Sequence, residues 1–455
     1  MSAPLSDVRV IEVTNFVAAP SAGAVLADFG ADVVKIEPLR GDTWRGMTRP
    51  PKVPDGMPSL DYGFQIDNRG KRSVAIALDQ SEGAELLRRL VAGVDVFLCN
   101  LLPHRQQRYG LDWPTLRAVN PRLVHATFTG YGMTGPDALR PGYDVTAFFG
   151  RGSVIDAMTD PGSVAPMPRP AQGDHTAGLA LALGILAALR LAERTGEGQA
   201  VDASLLSTAA WTMATDLSAV LIDGREPTKR DRHHLISPLA NRFLCADGRW
   251  IVLTMPEVHW WPRFCDAFGH PEWVTDPRFD TMKNRFDNMP ELIDLMDAEF
   301  ATRARDEWGR LFDEAGLIWG PASTLSELAA DPQAEAAGLF PTIDHPAGRF
   351  RTVGVPVHID GANIGPRGPA PDIGQHTEEV LEAAGLTPGE VAALAAAGVV
   401  GPCNLDEPDD GASVDLINRQ HARPTADGTR QKRAPRAASS AGTAKAKRPR
   451  GPTRR

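Results

Sequence analysis

The amino-acid sequence predicts an α/β fold: a Rossmann-like parallel sheet with helices on both faces. Two observations support this class. Within residues 1–130, short apolar runs of strand length alternate with segments of helical character. These runs are apolar almost throughout, as in strands that helices cover on both sides. Because ligands bind such sheets at the carboxyl ends of the strands, we expect functional residues at that edge.

The predicted elements follow in regular order. Strands are expected at residues 8–13, 31–37, 72–78, 95–100 and 122–132. Helices are expected at 20–30 and at 80–93, the second with Ser81 as its cap. No GxGxxG motif follows the first strand. The glycine-rich dinucleotide fingerprint is therefore missing, which counts against an NAD-dependent oxidoreductase.

A long apolar helix is predicted after His175. Residues 177–189 include no charged side chain, and Asp174 comes just before this segment. Asp at such a position is a preferred N-cap, because its side-chain oxygen accepts the free N–H groups of the first turn. Capping and catalysis are therefore two interpretations of Asp174. The 13-residue apolar run is shorter than the roughly 20 residues that span a bilayer, so we expect a core helix and no membrane association.

The sequence predicts a large domain in two parts with a smaller α+β domain between them. The smaller domain includes a hairpin that turns at Asp247 and Gly248. A helix at 374–385 is expected to end the fold. The predicted divisions are a large domain at 1–221, a linker at 222–234, a small domain at 235–330, a return to the large domain at 331–401 and a tail at 402–455.

Charge separates the tail from the body of the chain. The net charge is −9, yet residues 419–455 hold 12 Lys and Arg against one acidic residue, which leaves −20 for residues 1–418. The tail has almost no large apolar side chain, so we expect it to be disordered. An acidic body argues against nucleic acid as the main partner, although the basic tail alone is suited to weak contact with it.

The four cysteines lie far apart, with no CxxC pair and no ligand-like spacing to histidine. This pattern predicts neither a metal site nor a disulfide framework, and it fits the reducing cytoplasm. The first ten residues contain no basic segment followed by an apolar run, so we expect no signal peptide and a cytoplasmic location.

Five segments occur in this order: FGADVVKIEP, NRGKRSVAIAL, RPGYDV, GDHTAG and TGEGQAVDASL. Together they resemble the class III coenzyme A transferases, of the formyl-CoA and carnitine or bile-acid CoA-transferase type. The resemblance covers most of residues 5–398. It implies an enzyme that moves coenzyme A from an acyl-CoA donor to a carboxylic acid, with coenzyme A as a substrate and no further cofactor. It also implies a homodimer of interlocked chains.

The resemblance implies that Asp174 is the nucleophile. Its carboxylate would attack the thioester to give a mixed anhydride, and coenzyme A would then form an aspartyl-CoA thioester. With the ordinary pKa of about 3.9, Asp174 is expected to be ionised at pH 7 without a base. Rate must then come from positioning and desolvation. Backbone N–H groups at the helix start are expected to hold the oxyanion.

The resemblance also implies a set of binding residues. Lys71 or Arg72 is expected to pair with phosphate, and solvated surface charge is the alternative for both and for Arg108. Core packing and a helix-start role are the alternatives for Tyr143 and Asp144. The implied coenzyme A contacts are Val17, Ala18, Asn68, Arg69, Gly70, Lys71, Arg72, Asn100, Leu101 and Arg108, and the implied acyl-site residues are Tyr143 and Asp144.

Two departures from the family pattern bear on the reaction. The segment 233–243 has no glycine where formyl-CoA transferases have a glycine-rich loop, so a larger acyl group is expected. The related 2-methylacyl-CoA racemases have a histidine base at the position of Tyr143, and tyrosine is a poor base at neutral pH. Transferase is therefore preferred over racemase.

A catalytically inactive paralogue that only binds coenzyme A is the third alternative. His175 is expected to pack or make a polar contact at the helix start.

Overall fold

The computed structural model describes residues 2–50, 52 and 59–401, so the predicted tail at 402–455 lies outside the described residues. At its centre is a six-stranded parallel sheet in the order β3-β2-β1-β4-β5-β6. The predicted parallel sheet is confirmed. The order reverses between β1 and β4, where ligands bind in folds of this kind. The strands are β1 (Arg9–Val13), β2 (Asp32–Glu37), β3 (Arg72–Ala75), β4 (Val96–Cys99), β5 (Val124–Thr129) and β6 (Gln199–Ser204).

Helices pack on both faces of this sheet. The helices are α1 (Ala18–Asp28), α2 (Tyr62–Asn68), α3 (Ser81–Val91), α4 (Pro103–Tyr109), α5 (Trp113–Val119), α6 (Val154–Met158), α7 (Gln172–Thr195), α8 (Leu205–Thr212) and α9 (Ala214–Asp223). A π-helical segment, Val145–Arg151, precedes α6. Side chains of α1, α7 and α8 share one apolar core with the sheet, and those of α3 and α5 share another with its opposite face.

In the core that contains α1, α7 and α8, helices α1 and α7 pack closely against each other. A Cβ atom at Gly178 would lie 2.1 Å from Ser21 Oγ and 2.8 Å from the carbonyl oxygen of Ala18, so a residue with no side chain is required there. Because α1 begins where β1 ends, this contact places the first turn of α7 at the carboxyl edge of the sheet.

Helix α7 is longer than its predicted apolar run. Among the described residues it is the one single helix with the length and composition to cross a bilayer; α8 and α9, bent by 83°, pass that test only as a pair. In its most apolar 18-residue window, 44% is buried within the chain. A core helix of a globular protein has these same properties, and α7 packs on α1 and β6.

Residues 239–317 form an apolar core of their own, rich in Phe and Trp. The core lies beside an antiparallel sheet of three strands, and the predicted hairpin at Asp247 and Gly248 is confirmed. The strands are β7 (Arg242–Leu244), β8 (Trp250–Leu253) and β9 (Trp319–Pro321), and the helices are α10 (Trp260–Phe268), α11 (Met282–Asp287), α12 (Met289–Phe300) and α13 (Arg305–Glu314), with a 3₁₀ turn at Pro271–Val274.

The last described elements return to the large sheet, where apolar residues of the final two helices join the core that contains α3. The elements are α14 (Leu325–Ala329), α15 (Pro332–Ala336), β10 (Thr342–Ile343), β11 (Phe350–Arg351), α16 (Thr377–Ala383) and α17 (Pro388–Ala396). The fold therefore does not end after α16, because α17 follows and Val400 pairs with Ile76 next to β3. The predicted cap of α3 is also wrong: Ser81 is its first residue, and the Ser81 hydroxyl donates to Glu82 Oε2.

We predict that Gly178→Ala lowers the free energy of unfolding by about 1–3 kcal/mol, because overpacking forces α1 and α7 apart. Gly389→Ala in α17 is the control, since a Cβ there meets nothing within 4 Å. Denaturant unfolding monitored by circular dichroism measures both variants. Equal stability of the two variants would contradict the close α1–α7 contact.

Candidate active site at the first turn of α7

Asp174 lies in the first turn of α7 but does not cap the helix. The N-cap residue is Ala171, in the left-handed conformation with φ 76°, and no side chain of its own caps this end. The backbone N–H groups of Ala171 and Gly173 act on the buried carboxylate of Asp144 by opposing the rise in its pKa that burial causes, but Asp144 Oδ2 has no hydrogen-bond partner among the described residues. The capping interpretation of Asp174 is therefore wrong. Within the described residues its carboxylate accepts no hydrogen bond and remains available for chemistry.

The surroundings of Asp174 hold its carboxyl group close to half-ionised at neutral pH. Burial raises the pKa of Asp174 to about 7, the negative charges of Asp144 and Asp67 add to this, and His175 opposes it. The expectation of an ordinary, fully ionised carboxylate is thus wrong. The expected oxyanion role of the backbone N–H groups at the helix start stays a prediction.

A hydrogen-bonded chain of three side chains lies beside Asp174. His175 Nε2 is 2.9 Å from Asp67 Oδ1, and Trp44 Nε1 donates to Asp67 Oδ2 at 3.2 Å. Asp67 is 1% exposed, whereas the His175 side chain is 45% exposed. The expected polar contact of His175 is confirmed. Asp67 and Trp44 were not identified from the sequence; the only signal was that Asp67 directly precedes the segment NRGK.

The loop after β1 supplies an aromatic surface to the same region. Phe16 has a left-handed backbone, with φ 64°, and its N–H donates to Asp42 Oδ1 at 3.2 Å. Its ring packs edge-on against Tyr143 with 5.3 Å between centroids and lies 6.4 Å from the ring of Trp44. Because Tyr143 directly precedes Asp144, this surface adjoins the start of α7.

Buried charges stabilise the loop after β1. Lys35, at 0% exposure, donates to the carbonyl oxygen of Thr14 at 2.9 Å and forms a 2.9 Å ion pair with Asp42. Burial alone would lower the pKa of Lys35, but the charges of Asp42, Glu12 and Glu37 raise it. The lysine therefore stays charged and holds the segment that positions Phe16.

Comparison with known proteins decides the family. The profile of CoA-transferase family III matches residues 5–377. The chain belongs to this family. The (R)-2-hydroxy-4-methylpentanoate CoA-transferase of Clostridioides difficile is 32% identical over 386 residues, 84% of this chain and 95% of the relative. The human succinyl-CoA:glutarate CoA-transferase is 30% identical over 384 residues, 83% of this chain and 85% of the relative.

Solved structures agree with this assignment. The crystal structure of a CaiB/BaiF family protein from Brucella suis superposes with a TM-score of 0.75 at 30% identity, covering 84% of this chain and all of that one. The predicted resemblance is therefore confirmed. This family III CoA-transferase is an enzyme of the transferase class.

The CoA-transferase buries Lys71, which was expected to reach phosphate. Lys71 Nζ is 0% exposed and donates to Glu12 Oε1 at 2.7 Å, to the carbonyl oxygen of Pro20 at 2.8 Å and to Asn68 Oδ1 at 3.1 Å. Burial lowers the pKa of Lys71 to about 8. A phosphate contact from this side chain is not supported, because its hydrogen bonds and charge serve the interior.

Arg69 and Arg72 also form ion pairs within the chain. Arg69 is buried and forms an ion pair with Asp28 at 2.7 Å. Arg72 begins β3, so it lies at the amino end of the sheet and not at the carboxyl edge, and it pairs with Asp32 and Glu379. Its position and these ion pairs do not support the expected phosphate contact of Arg72.

Other predicted contact residues surround the switch point between β1 and β4. The Asn100 side chain bridges the two strand ends, accepting from Asn15 N–H at 3.1 Å and donating to the Asn15 carbonyl oxygen at 2.8 Å. Leu101 is buried beside it, and Val17 and Ala18 are buried at the start of α1. These positions suit backbone or apolar contact with a ligand, which stays a prediction.

Two further predicted contacts lie elsewhere. Arg108 is exposed on α4, with its guanidinium 5.6 Å from the centre of the Tyr109 ring, and it remains a candidate for phosphate. Gly70 has φ 71° and donates its N–H to the carbonyl oxygen of Gly368 at 3.1 Å. Its role is therefore the turn between α2 and β3.

We predict that Asp174→Ala raises the free energy of unfolding above pH 7. The pKa of Asp174 is raised on folding, so its ionisation between about pH 4 and pH 7 favours the unfolded chain. The gain should disappear as the pH falls below about 4, where both states become protonated.

The matched control for this stability test is Asp112→Ala, because Asp112 caps α5 through the N–H of Thr115. This variant should lose about 0.5–2 kcal/mol at neutral pH. Urea unfolding at several pH values distinguishes the two aspartates. A similar loss in both variants at pH 8 would show that Asp174 has a capping role after all.

Proposed function

We propose that Asp174 is the nucleophile of a CoA-transferase that moves coenzyme A between two carboxylic acids. Its carboxylate attacks the donor thioester, giving a mixed anhydride and the coenzyme A thiolate. The thiolate attacks the Asp174 carbonyl carbon, releasing the donor acid and leaving an aspartyl-CoA thioester. The acceptor carboxylate attacks this thioester, giving a second mixed anhydride and releasing the coenzyme A thiolate. The thiolate then attacks the acceptor acyl carbon and frees Asp174.

This proposal rests on the carboxylate of Asp174, which accepts no hydrogen bond from the described residues. It is half-buried at the carboxyl edge of a parallel sheet, where ligands of such folds bind. Ala171 occupies the N-cap position of α7, so no capping role competes for Asp174. A partly desolvated carboxylate is a stronger nucleophile than a hydrated one, and its raised pKa reports that desolvation.

The aromatic surface of Phe16, Trp44 and Tyr143 supports an acyl group larger than formyl. Flat rings offer apolar contact area, which a formyl group is too small to use. Burial raises the pKa of Tyr143 above its ordinary value, so Tyr143 is a still poorer base than sequence reasoning assumed. This supports the transferase over the racemase, which needs a base to remove the α-proton.

A dimer of about 98 kDa, twice the 48.9 kDa chain, is part of the proposal. Several large apolar side chains on α7, α8 and α9 are strongly exposed in the single chain, including Leu183, Trp211, Leu221 and Ile222. Strongly exposed large apolar side chains on neighbouring helices favour a subunit interface. The inserted smaller domain would let two chains interlock.

We predict that Asp174→Asn removes CoA transfer, with kcat below about 0.1% of wild type, because an amide cannot form the anhydride. The matched control is Asp202→Asn, a second aspartate whose pKa burial raises, at the far edge of the sheet. Transfer is measured by mass spectrometry over a panel of acyl-CoA donors and acids.

Two outcomes would contradict this reaction. Full turnover of Asp174→Asn, checked by mass for deamidation, would exclude Asp174 as nucleophile. Incorporation of α-deuterium from deuterated water into a 2-methylacyl-CoA, at a rate matching CoA transfer, would favour the racemase instead.

We also predict that dissociation and unfolding coincide. Obligate dimers lack a stable folded monomer, so the wild-type chain should scatter light as a dimer at nanomolar concentration. A folded, active monomer of about 49 kDa under these conditions would contradict the dimer.

A further inference from the structure

His175 is a group that the reaction scheme above does not use. It follows Asp174 in the first turn of α7, and its Nε2 atom is held 2.9 Å from Asp67 Oδ1. Asp67 is buried and is itself oriented by the indole N–H of Trp44. An imidazole held by a buried carboxylate has a fixed orientation and favours the protonated form. Ordinary helix-start packing does not require this arrangement.

The charges around His175 come from three elements. Burial works against the imidazolium, but the hydrogen bond and charge of Asp67 on α2, with the charge of Asp174 on α7, raise the pKa of His175 overall. Arg69, at the end of α2, has a smaller opposing effect and is engaged by Asp28. The negative charge of Asp144, which directly precedes the π-helical segment, acts on both His175 and Asp174.

The charged groups around Asp174 are mainly negative. Asp144 and Asp67 both present negative charge to it, and burial also disfavours its ionised form. Among the described residues that act on Asp174, His175 is the cation. A substrate that displaces water would increase the penalty, since solvent screening of the three carboxylates would fall.

We infer that His175 is a positioning residue whose imidazolium, anchored by Asp67, keeps Asp174 a carboxylate when substrate enters the site. This inference rests on the proposed function, in which only the ionised Asp174 attacks the thioester. The Asp67–His175 pair contributes no atom to the reaction. It supplies a fixed positive charge next to the nucleophile, and an opposite charge within about 4–6 Å lowers a carboxyl pKa by roughly 1–3 units.

The test is the pH dependence of kcat/KM in wild type and in His175→Gln. Glutamine keeps an N–H that can donate to Asp67 but carries no charge. Activity of the wild type should fall on the acidic side of pH about 7, the pKa of Asp174. In His175→Gln this limb should move upward by about one pH unit or more, so that activity at pH 6 drops roughly tenfold further, while the alkaline plateau changes little.

His270→Gln is the matched control. His270 also contacts a carboxylate, with Nδ1 2.9 Å from Glu272 Oε1, but it packs against Phe268 and Trp273 of the smaller core. Its removal should leave the acidic limb in place. A His175→Gln enzyme whose plateau falls while its limb stays at the wild-type pH would show a purely structural role and overturn the inference.

A second measurement needs no coenzyme A. Carbodiimide-promoted amidation requires a protonated carboxyl group, and peptide mass spectrometry reports it at Asp174. The pH at which this labelling is half-lost should rise in His175→Gln by the same amount as the kinetic limb. An unchanged midpoint contradicts the role of His175, whereas a wild-type protein without CoA transfer contradicts the proposed function. The two failures are therefore distinguishable.

Discussion

The backbone N–H groups that begin α7 impose the constraint on which the site depends. A helix start leaves such donors without partners, and most helices satisfy them with a side chain at the N-cap. Here Ala171 occupies that position, and its methyl group accepts no hydrogen bond, while the buried carboxylate of Asp144 acts electrostatically on the same helix start. Asp174 is therefore half-buried in the first turn without a capping role.

Buried ion pairs make that arrangement rigid. Glu12, Lys35, Asp42 and Lys71 are all buried, and together they tie the end of β1 to the neighbouring loops. Such pairs contribute little net stability, because desolvation offsets their attraction, but removing one partner leaves an uncompensated charge. The ion pairs therefore stabilise one conformation of the loop, in which Phe16 has a left-handed backbone.

The sequence was informative where structure follows from local pattern. Apolar runs located five of the six parallel strands, and an Asp-Gly turn located the hairpin of the smaller core. It was uninformative where the deciding partner is distant. Asp174 looks like a cap because the sequence does not show that Ala171 takes the N-cap position. Lys71 looks like a phosphate ligand or a surface charge, and Arg69 like a ligand contact, because Glu12 and Asp28 meet them only in the fold. The Asp67–His175 pair, 108 residues apart, is hidden for the same reason.

The start of α1 separates this sheet from its dinucleotide-binding counterparts. In those proteins the first helix presents free N–H groups to a pyrophosphate. Here the Phe16 N–H is taken by Asp42, Pro20 has none, and the Ser21 N–H bonds to the carbonyl oxygen of Val17. The first turn of α1 also carries α7, because Gly178 lies directly against Ser21 and the carbonyl oxygen of Ala18. A phosphate-binding loop grafted after β1 would therefore have to preserve the surface of α1 on which α7 packs.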